Sequence, residues 1–171
     1  MLGQKTLISL LLIFILLPAC TTPQERQARQ VEEDTYRTAL QRMVQSYVYS
    51  MSCEALLPLA KDLLWESPYD GAAYTEDRTG LTTDWRDHDE TRRSRLTVHS
   101  HRAGHDRCAV QFITQERIGH NEHQRRDVNR ELELLERVDD EEANRVRLGA
   151  RREAREAYDL TLQRLEQEED R

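Results

Sequence analysis

Five of the six histidines of this 171-residue chain fall in one short region: His99, His101, His105, His120 and His123. Two imidazoles two residues apart on a strand share a face, so His99 and His101 could approach one ion, and His120 and His123 could add a second pair. The spacing is not that of a zinc protease, which sets two histidines four apart on a helix around a glutamate. No carboxylate stands where it would orient them. Exposed histidines near a hairpin tip account for the pattern, and no metal is expected. Asp84, Asp87, Asp89 and Glu90 surround His88. A calcium loop needs alternating oxygen ligands and a glycine at its sharp turn, and only Asp87 and Asp89 alternate. The glycines are scattered, so no loop cradles a phosphate, and no Gly-x-Ser-x-Gly elbow is present. No catalytic residue and no cofactor is expected, and the chain does not read as an enzyme.

The thiols are more informative. Lys5 precedes the apolar run from Thr6 to Leu17, and Pro18, Ala19 and Cys20 follow before the sequence turns polar at Thr21. A charged start, a short apolar run and a small residue before a cut form the pattern of a secretory signal. The run is shorter than the about 20 apolar residues of a membrane span. Leu17-Pro18-Ala19-Cys20 resembles the lipobox of bacterial lipoproteins. The resemblance implies cleavage before Cys20 and diacylation of its sulfur, which removes residues 1–19 as a signal peptide. Two or more acyl chains hold a protein stably on a membrane, where one does so marginally. The same resemblance to bacterial lipoproteins, in which Asp after the cysteine favours the inner membrane, implies from Thr21 the outer membrane, on its periplasmic or its outer side.

Lysine plus arginine number 25 against 32 aspartates and glutamates, a formal net charge of −7. An acidic chain is a poor ligand for nucleic acid, and it lacks a basic patch for anionic lipid, so attachment is expected through the acyl anchor alone. With Cys20 acylated, Cys53 and Cys108 remain. An even pair in an oxidising compartment reads as a disulfide.

Four regions are expected: the signal over 1–19, a polar tether over 20–30, an α+β domain over 31–138 and a charged helix over 139–171. Tyr36, Leu40, Met43, Tyr47 and Met51 recur at helical spacing, and Leu56 to Leu64 form a second, more apolar helix that Ser52 can cap. Pro58 places either a start or a bend there. Strands are expected at 72–76, 81–85, 94–101 and from 107 to about 118. Centring the last turn on Gly104 opposes Leu96 to Phe112, Val98 to Val110 and Ser100 to Cys108 on one face. Arg95, Thr97, His99, His101, Arg107 and Gln111 take the other, with Ile113 among them unexplained. On the apolar face Cys108 lies toward the helix that begins at Cys53, which supports the disulfide independently. Asp127–Val138 reads as a helix, and Asp139 with Glu142 starts a last one. That helix looks too polar for a core and is expected to project or to pair with a partner.

The fold class is therefore α+β: helices on one face of a small antiparallel meander, followed by a long charged helix. From Ser52 to Val138 the order of elements resembles the helix-grip domains of the component C lipoprotein of the outer-membrane β-barrel assembly machinery, with Leu81-Thr82-Thr83-Asp84-Trp85 the nearest local likeness. No functional residue carries over. The expected role is a structural or protein-interaction lipoprotein of the outer membrane, docking an envelope protein by its sheet face or last helix. The alternative is a periplasmic ligand- or metal-binding module, or an enzyme, that uses the histidine-bearing face.

Overall fold

A computed structural model describes residues 22–66, 68–69 and 71–169. The leader and Cys20 lie outside them. In chain order the elements are helices α1 (Pro23–Gln45) and α2 (Cys53–Trp65), strands β1 (Ala73–Tyr74), β2 (Gly80–Thr82), β3 (Arg86–Asp87), β4 (Arg92–Gly104), β5 (Arg107–Ile118) and β6 (Asn121–Arg126), and helices α3 (Val128–Val138) and α4 (Asp140–Glu169). Six antiparallel strands form one sheet in the order β1-β2-β4-β5-β6, with β3 also on β4. The fold is α+β, as the sequence implies.

The long β4–β5 hairpin is the frame. Its even-numbered residues point one way and are buried: Leu96 and Val98 on β4, Cys108, Val110 and Phe112 on β5. The register differs by two from the expected one, with Val98 opposite Phe112 and Ser100 opposite Val110. The turn is tighter than expected. Gly104 pairs Arg107, Asp106 takes a φ of 49°, and a bulge between Arg102 and Gly104 absorbs the odd residue. A slip of two leaves every side chain on its own face, so Cys108 still points into the core.

Beyond the reach of β6, the edge of β5 must find other partners for its backbone. Tyr49 supplies them at Cys108, in both directions, at 2.8 and 3.1 Å. At Phe112 the amide donates to the Glu131 carboxylate at 3.1 Å, and the carbonyl accepts from the Asp127 amide at 2.8 Å. Gly80 closes the opposite side. A Cβ there would stand 2.3 Å from the Val98 carbonyl oxygen, so only glycine lets β2 approach β4.

On the even face lie α2 and α3. Ser52 caps α2 by accepting from the Ala55 amide at 3.3 Å, and the helix runs from Cys53 through the exposed Pro58 without restarting. Leu56, Leu57, Leu63 and Leu64 of α2 join Leu134 and Leu135 of α3 in the core, each stabilising by roughly 1.5–3 kcal/mol.

The structure corrects two expectations about the ends of the chain. From Pro23 the supposed tether is helix, because Thr22 and Glu25 form a reciprocal capping box at 3.1 Å each way, with Pro23 at the first helical position. The last helix is not outside the core. Ala143, Val146 and Ala150 are buried in it, since small side chains let a mostly charged helix come close. Asp139 caps this helix as expected, accepting from the Glu142 amide at 2.9 Å.

The chain divides into two compact units. Tyr36–Glu153 holds the sheet and the core just described. The other unit joins the described residues up to Thr35 with those from Ala154 on, and buries Ala28, Ala154 and Thr161.

Candidate functional site

The odd-numbered face of the hairpin contributes no residue to the hydrophobic core. Trp85, half-buried, lies on this face between β2 and β3. Thr83 brings it there: its amide donates to the Leu96 carbonyl at 2.9 Å, and its hydroxyl accepts from the Leu96 amide at 2.9 Å, which carries the chain along β4. β3 then pairs Asp87 with Arg93. Three guanidinium groups converge on the Trp85 ring: Arg95 at 4.6 Å, Arg93 at 4.9 Å and Arg117 at 5.0 Å from its centroid. These are cation–π distances, and the ring face is where a planar guanidinium stacks.

The arginines are sparsely neutralised. Arg117 pairs with Glu122 at 3.1 Å, which together with Gln124 and Arg95 holds the Glu122 carboxyl below its usual value. Arg95 donates to the neutral amide of Gln115 at 2.6 Å. Arg93 has no carboxylate partner among the described residues. Thr97 and Gln115 are buried beneath this layer of long side chains, and Ile113, opposite Thr97, is half-buried within it, which accounts for an apolar residue on this face. A cleft of about 310 Å³ adjoins it, lined by Arg92, Arg93, Arg117 and His120 together with Asp87, Asp89 and Glu90.

The sequence singled out other residues. Cys53 and Cys108 are joined by a disulfide, with Cα atoms 5.0 Å apart. His99 and His101 share the odd face of β4 and are exposed. His105 sits in the hairpin turn, His120 in the turn before β6, and His123 on β6. Among the described residues, no three histidine, cysteine, aspartate or glutamate side chains gather as a metal site. In the acidic loop, Asp89 accepts from the Thr91 amide and hydroxyl, and these bonds lower its carboxyl. His88 turns away from the loop acids to Ser94, at 2.7 Å, and Ser94 also meets the Tyr69 hydroxyl at 2.9 Å. Ser94 is 3% exposed, so this chain satisfies a buried hydroxyl and gives no substrate access to it.

Two features escaped the sequence reading. Trp85 was not connected with the arginines. The buried Glu131 was not noticed at all. Its Oε1 takes both the Phe112 amide and Arg126, the latter at 2.6 Å, while Oε2 has no hydrogen-bond partner among the described residues. Burial raises its carboxyl above the usual value, and Arg126 opposes that only in part.

No helix among the described residues is long and apolar enough to cross a membrane. Comparison with protein families, with curated proteins and with solved structures finds no match.

Proposed function

We propose that this protein is a lipoprotein anchored in the outer membrane through Cys20, with a structural or protein-docking role in the cell envelope. The observation that carries the docking role is the odd face of the sheet. It lies outside the core, bears stacked arginines on a tryptophan, and converges on no catalytic constellation. The anchor rests on Leu17-Pro18-Ala19-Cys20, and an acyl-held position leaves a folded domain free to engage a neighbour in the same membrane.

Metabolic labelling with alkynyl palmitate tests the anchor. The full chain is expected to take up label and to partition with outer-membrane vesicles, and Cys20→Ser to do neither. Label that persists in Cys20→Ser overturns the anchor. Docking is tested by photo-crosslinking from the sheet face in the full chain.

A further inference from the structure

We propose that the face around Trp85 is a docking surface for an acidic segment of a partner protein. This rests on the envelope-docking reading above and names the chemistry of the partner. Three guanidinium groups stand within 5.0 Å of one ring centroid, and among the described residues a single carboxylate, that of Glu122, forms an ion pair with any of them. Like charges held together repel, and the repulsion is relieved when anions arrive between them. Contact with Trp85 restrains each arginine side chain, so less rotamer entropy is left to lose when a carboxylate arrives.

The size of the ligand follows from the charge of the whole chain. The formal net charge of −7 repels an extended polyanion such as nucleic acid or an anionic bilayer. Screening confines that field to roughly 8 Å at physiological salt. A short acidic stretch laid on the patch meets the arginines at close range, with the Glu122 carboxylate on Arg117 and Asp87 opposite Arg93 beside them. The sheet face, with Gln111, Gln124 and Thr82 on the strands that carry the cluster and their neighbours, offers further donors and acceptors to a polypeptide.

The test uses the full chain in its own cells, with the photo-crosslinker p-benzoylphenylalanine placed at Gln124, exposed beside the cluster, or at Leu148, exposed on α4. The expected result is a protein adduct at Gln124 whose crosslinked peptide is rich in aspartate and glutamate. Its yield should fall about tenfold when Arg93→Gln, Arg95→Gln and Arg117→Gln are combined, the change that three charge pairs of about 0.5 kcal/mol each produce together. Unchanged thermal melting and circular dichroism establish that this variant is folded. Should it not fold, the single variant Arg93→Gln replaces it, with a smaller fall expected. An adduct with a segment lacking acids, with lipid, with nucleic acid or with a second copy of this chain overturns the inference, as does a yield indifferent to the charges. An adduct at Leu148 alone overturns the surface but leaves the docking role standing. Adducts at neither position overturn both.

Discussion

The two faces of the β4–β5 hairpin are made by the same strands, yet they obey different rules. The even face is apolar, covered by α2 and α3, and tied to α2 by the disulfide. The odd face carries three arginines on one tryptophan and is covered mainly by its own long side chains. A residue buried on the even face is held by many neighbours and cannot change cheaply. A residue on the odd face is held by a few contacts at the water boundary, each worth little. Stability is thus concentrated on one side, and the other side is free to be specified by a partner.

If that division is right, the largest loss comes from the staple. Cys53→Ser with Cys108→Ser opens a loop of 55 residues and is expected to cost about 4 kcal/mol in the chain-entropy model, read from the urea midpoint. A loss below about 1 kcal/mol would mean that α2 is held to the sheet by packing alone. Next is Glu131→Ala, which leaves the Phe112 amide and Arg126 without their acceptor, at about 3 kcal/mol. Glu131→Gln keeps an acceptor and should cost less. The same variant carries a pH signature. The Glu131 carboxyl titrates higher in the folded chain than the usual 4.5, so the folded state holds that proton more tightly. Its contribution is therefore greatest below that usual value and is lost as pH rises through the raised one. Glu131→Gln should flatten this part of the stability profile.

Removing α4 after Val138 uncovers the core at Ala143, Val146 and Ala150, with an expected loss of about 2 kcal/mol seen in the melting temperature. An unchanged melting temperature would return the helix to the projecting role that its composition implies. On the odd face, Trp85→Ala should cost only about 1 kcal/mol while removing the platform of all three arginines. A loss as large as that at Glu131 would erase the contrast between the faces. Smallest is Asp77→Asn in the turn before β2. The hydroxyls of Thr75 and Thr79 and the Thr79 amide hold the Asp77 carboxyl down at about 2. Its contribution is present above the unfolded carboxylate value and is lost as pH falls through about 2, so parent and variant should converge in strong acid.

The hairpin was legible because alternation over β4 and β5 marks a strand buried on one face. That signal fixes which face a residue takes more firmly than its partner, which is why Cys108 was placed correctly although the register differed by two. β6 went unseen because Asn121-Glu122-His123-Gln124-Arg125-Arg126 has no apolar residue, and an edge strand buried on neither face leaves no pattern. The start of α1 is written in the chain as Thr22-Pro23-Gln24-Glu25, but with no apolar stripe directly behind it that signal does not stand out from a polar tether. The burial of α4 was missed for a related reason. Alanine adds little hydrophobicity yet permits the closest approach. The arginine–tryptophan layer had only half a signal. Arg95 was placed on the odd face by alternation, whereas Trp85 reaches it through Thr83, a contact no local spacing announces. Glu131 gave none, since a glutamate on a helix is ordinarily solvated.

The disulfide has a kinetic side that its two sulfurs do not share equally. Cys53 is 7% exposed and borders a cleft of about 160 Å³, whereas Cys108 is fully buried. A thiolate approaching from that cleft meets Cys53 first, and the sulfur expelled by attack there is Cys108, which must leave as an anion into apolar surroundings. The better leaving group is Cys53, at the first turn of a capped helix, but expelling it requires attack on the sulfur that nothing can reach. Access and departure are thus assigned to opposite ends of the bond. Reduction waits for the start of α2 to lift from β5, and the rate at which excess dithiothreitol consumes the disulfide becomes a clock for that opening.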